Sequence, residues 1–213
     1  MEDQEWQAAQ DSDPTLARKR TEKKKGKKTQ LGISTIYTRS TPTLRPPARP
    51  LLLMARVFVY GTLKQGQPNH HRMLDPAHGH AHFLAPARTL DRYPLVIAGD
   101  NHIPYLMNLP GEGVRVWGEV YRVDERMLGF LDAFECVPAM YQRTVVRLEV
   151  ERGEKGAWPE PSNEDMPAEG GTVEAHMYST ATFEPEWRAL PTHESYDAHG
   201  EHGLVYVDRE ARQ

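Results

Sequence analysis

Cysteine is almost missing: Cys136 is the one thiol among 213 residues, so no disulfide can close within the chain. A zinc site built on cysteines is excluded on the same count, and a lone thiol fits a reducing compartment. No apolar run approaches the roughly 18 residues that a membrane span needs. The opening Met1-Glu2-Asp3-Gln4-Glu5 is acidic where secretory or mitochondrial leaders are basic or poor in acids. The expected address is the cytosol, with no membrane partner. No internal repeat is present.

The length suits one sizeable domain or two small ones, and 38% hydrophobic with 26% charged residues suits a soluble globular core. Net charge is -4, unevenly spread: residues 1–53 hold 11 Lys and Arg against 6 Asp and Glu, the remainder 15 against 24. Residues 1–53 read as a disordered extension, because few apolar residues recur at any regular spacing and burial cannot offset the entropy of ordering. Their basic run, Arg18 to Lys28, places eight cations in eleven residues. Nuclear localisation and nucleic-acid binding are the alternatives to a solvated tail. With no aromatic residue interleaved to stack on bases, the solvated tail is the expectation and nucleic acid is not an expected partner. Met54 is an alternative start for the working protein, whose domain then runs over 54–213.

Val57-Phe58-Val59-Tyr60 is a short apolar, β-branched and aromatic run, hence a buried strand, and it stops at Gly61 with Gly66 and Pro68 close behind. Glycine there is expected to allow a backbone closed to other residues. A strand ending in such a turn exposes successive N–H groups that receive anions. Asn69 is placed to cap a short helix through Asp75. Leu95 to Ile97, Tyr105 to Met107, Val114 to Val123, Tyr141 to Val150 and Val173 to Tyr178 read as strands. Gly118 marks a bulge or a close backbone approach. Asp124 caps a helix whose Met127, Leu128, Leu131 and Phe134 share a face. Residues 151–171 read as a long mobile loop. The tail from Pro185 reads as irregular, anchored by Trp187, Tyr196 and Tyr206. Strands and one or two helices without βαβ alternation argue for an α+β fold with a barrel-like sheet.

Pro138 disfavours helical geometry at Val137, so the helix is expected to stop near Glu135. A carboxylate there meets the negative end of the helix dipole, and partial burial adds to it; both push its pKa up toward that of a general base. Asp132 and Glu119 are rival carboxylates that spacing does not separate from it. His78, His80 and His82 alternate as metal ligands on one strand face would, but no carboxylate is interleaved, and no metal is expected. Gly61 to Gly66 imitates a phosphate loop, but Gln67-Pro68 stands where Lys-Ser/Thr belongs. His193, Ser195 and Asp197 supply triad residue types too close in sequence to converge, without a nucleophile elbow.

Tyr60-Gly61-Thr62-Leu63-Lys64-Gln65-Gly66-Gln67-Pro68-Asn69-His70 resembles the opening motif of the γ-glutamylamine cyclotransferases, of the AIG2-like, γ-glutamyl-cyclotransferase-fold family. Tyr93 to Gly99, Gly118 to Tyr121, Val123 to Leu128, Phe130 to Glu135 with Tyr141 to Thr144, and His193 to Asp197 with His202 to Leu204 are similar in register. Together these cover about residues 54 to 208. Ala133 and Tyr105 depart from the pattern, where an acidic residue and a tryptophan are expected. The resemblance implies a mixed barrel with a few helices and an enzyme without cofactor, acting as a monomer on a small molecule. It implies release of 5-oxoproline and a free amine from γ-glutamylamines, notably the γ-glutamyl-ε-lysine of degraded transglutaminase cross-links. By the same resemblance Glu135 is the catalytic glutamate and Tyr60, Gly61, Thr62 and Leu63 form the substrate-binding loop. The alternatives are a cyclotransferase for γ-glutamyl amino acids or glutathione, and a non-catalytic AIG2-like binding module.

Overall fold

A computed structural model describes residues 54–151, 166–208 and 211. The expected extension over 1–53 and most of the expected loop over 151–171 lie outside the described residues.

Strand β1 (Ala55–Val59) runs antiparallel to β5 (Trp117–Val123), with Ala55 opposite Val123 and Val59 opposite Glu119. The other edge of β5 takes β2 (Ala81–Thr89), whose register shifts between Phe83 and Ala85. The far end of β2 pairs with β6 (Gln142–Val150), and β6 pairs along its whole length with β7 (Thr172–Ser179). β7 then returns beside β1 in parallel, through Val57 with His176 and Phe58 with Met177, and the five strands close into a barrel. A separate hairpin pairs β3 (Leu95–Ala98) with β4 (Ile103–Leu106).

The alternation of β1 explains its unbroken apolar run. Phe58 joins Leu84, Val120, Leu148 and Met177 inside the barrel, whereas Val57 and Val59 join Met73, Met127 and Leu131 on the outside. Successive side chains leave a strand on opposite faces, and here both faces are covered. The cover on the outer face is helix α2 (Glu125–Phe134), which buries Met127, Leu131 and Phe134 against the sheet. Asp124 starts it as expected, its Oδ1 accepting the Met127 N–H at 2.8 Å.

Three expectations need correcting. Asn69 does stand before a short helix α1 (His70–Leu74), but its side chain makes no cap bond. Its amide instead donates to Thr62 Oγ1 (3.0 Å) and to the Tyr206 hydroxyl (2.9 Å), tying the loop after β1 to the chain's tail. Strand β2 has no counterpart in the sequence reading: Pro86 and three alanines hide it, and the bulge at Phe83 accommodates the irregularity. The tail is not wholly irregular either, since Pro185–Ala189 forms a short 3₁₀ turn. Tyr196 and Tyr206 are buried there as expected. Trp187 packs its ring 4.3 Å from that of Tyr105, so the position departing from the family's tryptophan has an indole beside it.

Gly118 is a close approach rather than a bulge. A Cβ on it would overlap Val59 O and the Phe58 ring, the latter within 2.6–2.7 Å. Only glycine lets β1 and β5 meet at this height.

Candidate active site

The residues after β1 turn back at once: Lys64 N–H donates to Gly61 O (3.2 Å), Gln67 N–H to Lys64 O (3.0 Å) and Asn69 N–H to Thr62 O (2.9 Å). None of these bonds uses the N–H groups of Gly61, Thr62 or Leu63. The reason for glycine at 61 differs from the sequence expectation. Its φ is not positive; the left-handed glycine of this turn is Gly66, at φ 75°. A Cβ on Gly61 would lie 3.0 Å from Pro104 Cγ, so the requirement is room beside β4.

Behind the loop lies Glu119, which is 1% exposed and fully inside the fold. Its carboxylate accepts the Gln65 N–H at 3.0 and 3.1 Å and the Tyr121 hydroxyl at 2.8 Å. It thus pins the loop to the barrel, which separates it from Glu135 in a way spacing did not. Burial pushes its pKa up, partly opposed by the Tyr121 and Gln65 hydrogen bonds and by the Lys64 charge. The folded state therefore holds this proton more tightly than the unfolded chain. That contribution to stability is complete below the ordinary carboxylate value of 4.5 and is lost as pH rises through the folded value. Glu119→Gln removes the titration. In urea melts at about pH 4 and about pH 7, wild type is expected to lose ground to the variant as pH rises. A difference that does not move with pH would contradict the buried, proton-hungry carboxyl.

Glu135 ends α2 in a Schellman turn: Val137 N–H donates to Asp132 O (2.9 Å) and Cys136 N–H to Ala133 O (3.2 Å). Cys136 occupies the left-handed position, φ 52°, that glycine usually takes, so its place is conformational. The turn delivers half-buried Glu135 to the wall of a small cavity of about 50 Å³. Tyr60, Gly61, Thr62 and Leu63 line the same cavity, with Asn69, Ile103, Pro104, Phe134, Tyr141, Tyr178 and Tyr206 among their neighbours. All five site residues expected from the sequence are therefore brought to one place. Glu135 is the one charged side chain on the wall; no Lys, Arg or His lines it among the described residues.

Two tyrosines close to Glu135 were not singled out together by the sequence. The Tyr60 hydroxyl donates to the Tyr178 backbone oxygen at 2.8 Å, and the Tyr178 hydroxyl donates to Asp132 Oδ1 at 2.8 Å. Asp132 is held from its other side by Arg143 Nη1, at 2.7 and 2.9 Å from its two oxygens. Burial raises both phenol pKa values, and the Glu135 charge raises them further; for Tyr178 the Asp132 bond and charge come before Glu135 in size. Both remain neutral phenols. The signal available in sequence was Asp132 one helical turn before Glu135, with Arg143 and Tyr178 on what read as two strands.

The other constellations do not assemble. Ser195 Oγ accepts from Lys64 Nζ at 2.9 Å, Asp197 accepts from the His199 N–H at 3.0 Å, and the His193 ring faces that of His202. His78 stacks on Phe130 at 3.7 Å, while His80 and His82 are exposed. Among the described residues no three His, Cys, Asp or Glu converge as metal ligands, and no helix is long and apolar enough to cross a membrane.

A profile of the family described as Gamma-glutamyl cyclotransferase, AIG2-like, matches residues 57–198. Over 159 residues the chain is 57% identical to Gamma-glutamylaminecyclotransferase of Homo sapiens, covering 75% of this chain and all of that protein. The Mus musculus protein of the same name is 52% identical over the same length. A crystal structure of an AIG2-like protein from Mus musculus is similar with a TM-score of 0.66 at 51% identity, over 75% of this chain and 99% of that one. The barrel, the Gly61 loop and the glutamate at the end of α2 thus lie in the matched span, and the chain belongs to the AIG2-like gamma-glutamyl cyclotransferase family and is a cyclotransferase.

Proposed function

We propose that the protein cyclises γ-glutamylamines, γ-glutamyl-ε-lysine above all, to 5-oxoproline and the free amine. The names of its relatives support the class; the observation that carries the choice within it is the charge of the cavity wall. Glu135 is its one charged side chain and no cation lines it among the described residues. A γ-glutamyl amino acid carries a second carboxylate one carbon from the scissile nitrogen; in glutathione a peptide bond stands there and the carboxylate is at the glycine end. The carboxylate of a γ-glutamyl amino acid would enter a wall whose one charged side chain carries a like charge and which has no cation to pair with it among the described residues. In γ-glutamyl-ε-lysine the leaving amine is a plain methylene chain next to the scissile bond, and its carboxylate is at the far end.

The substrate brings its own nucleophile. Glu135 takes a proton from the α-ammonium, and the freed amine attacks the γ-carbonyl to form the carbon–nitrogen bond of a five-membered ring. The amide bond to the leaving nitrogen then breaks as Glu135 passes its proton to that nitrogen. Glu135 next takes the surplus proton from the ring nitrogen, leaving the lactam N–H, and gives it up to the released amine, which departs as an ammonium. The N–H groups of the Gly61 to Leu63 turn receive anionic oxygen, with no reorganisation needed at the moment of reaction. Holding the glutamyl chain curled recovers a large part of about 7–11 kcal/mol available from positioning. The enzyme acts as a monomer in this reading, and the single cysteine supports a cytosolic address.

Purified protein given γ-glutamyl-ε-lysine is expected to release lysine and 5-oxoproline. With γ-glutamyl-alanine, kcat/KM is expected to fall by about 100-fold or more, since an unpartnered charge in a partly dry site costs about 3 kcal/mol or more. Equal or better turnover of glutathione would reverse the assignment.

A further inference from the structure

Both tyrosines beside Glu135 have spent their hydrogens. Tyr60 gives its single O–H to the Tyr178 carbonyl, and Tyr178 gives its own to Asp132, where the Arg143 pair holds the carboxylate in place. A phenol that donates away from a cavity keeps only lone pairs for what enters it, and Tyr60, which also accepts a backbone hydrogen bond from Leu106, has one left. Both residues line the cavity with Glu135, and the Glu135 charge bears on both hydroxyls. The wall therefore offers one carboxylate and two oxygen acceptors, which is the complement of a group with three N–H donors.

We propose that Glu135, Tyr60 Oη and Tyr178 Oη together form the seat of the substrate's α-ammonium, each accepting one of its three hydrogens. This rests on the cyclotransferase reading above and deepens it. Its consequence is directional. With two hydrogens fixed on phenol oxygens, removal of the third by Glu135 leaves the nitrogen lone pair on the carboxylate's side, where the γ-carbonyl must lie for ring closure. The same carboxylate is then placed to return the proton to the leaving nitrogen. The two tyrosines bind and aim the nucleophile without exchanging protons with it. Asp132 and Arg143 act through Tyr178: they fix which way its hydrogen points.

The test separates this seat from simple packing. Nε-glutaryl-lysine is the substrate with its α-amine replaced by hydrogen; it keeps the α-carboxylate and the amide but cannot cyclise, so it reads as a competitive inhibitor. Tyr178→Phe is expected to lower kcat/KM for γ-glutamyl-ε-lysine by about 10- to 100-fold, the range for a hydrogen bond to a charged group, while Ki for Nε-glutaryl-lysine stays within about twofold. Tyr60→Phe is the second variant, with the same expected split. Equal losses for substrate and inhibitor would mean that the ring only shapes the wall, and no loss in either would mean that the hydroxyl is idle; each overturns the proposal while leaving the activity of the wild-type protein standing. A wild-type protein inert on every γ-glutamylamine offered would instead overturn the reading on which the seat rests, and the seat with it.

Discussion

Glu135→Gln is expected to lower kcat on γ-glutamyl-ε-lysine by about 1,000-fold, within the span for loss of a general acid–base group. Thermal stability should hardly change. Glutamine is near-isosteric, and the Schellman turn that presents position 135 is made by the backbone of Asp132, Ala133, Cys136 and Val137. What it removes is the charge. The substrate's ammonium then keeps its proton, and the leaving nitrogen has no donor. The loss should fall on kcat more than on KM, because an amide oxygen still accepts one hydrogen of the bound ammonium. Steady-state kinetics with a melt on the same sample decides the matter: unchanged turnover removes Glu135 from the mechanism.

Gly118→Ala carries the largest expected effect on stability. Its Cβ would overlap a backbone oxygen, Val59 O, and an aromatic ring packed inside the barrel. Neither yields as the tip of a flexible side chain does. A cost of about 3 kcal/mol is expected, the upper end for overpacking, and a fall in Tm of roughly 10 °C for a domain of this size. The relief available is a shift of β1 away from β5, and Val59 directly precedes Tyr60. Activity per folded molecule should therefore fall as well, through a displaced loop. Urea denaturation placing the variant within about 0.5 kcal/mol of wild type would show that the approach has slack.

These two positions also illustrate what local chemistry discloses. The turn at Glu135 was readable because its signals sit within a few residues of one another: an Asp124 cap, a four-residue apolar face and a proline just beyond. Gly118 was readable as special, but not why, since the oxygen it makes room for is some sixty positions earlier. The same limit applies at Gly61, where the requirement comes from Pro104 on another sheet rather than from the glycine's own backbone. Strand β2 escaped because its pairing on both edges, not its alanine- and proline-containing sequence, makes it a strand. Glu119 and Glu135 were interchangeable as carboxylates in a list. Burial tells them apart: one is inside, tethered to Gln65 and Tyr121, and the other is on the cavity wall. Asn69 shows the opposite error, a residue in the right place whose side chain is employed elsewhere.

The barrel is sealed by its first and last strands, side by side and parallel over two residue pairs. Across that seam runs the hydrogen bond from Tyr60 to Tyr178, joining positions 118 apart. A chain leaving the ribosome therefore carries its Gly61 turn long before the strand that completes the cavity exists. Loop-closure entropy must be met before any contact across the seam repays it, which makes such a topology slow to fold. The nascent protein has no ammonium seat until β7 has been made and docked. A truncated product ending before that strand would keep the turn and the glutamate, yet be unable to bring them to bear on a substrate.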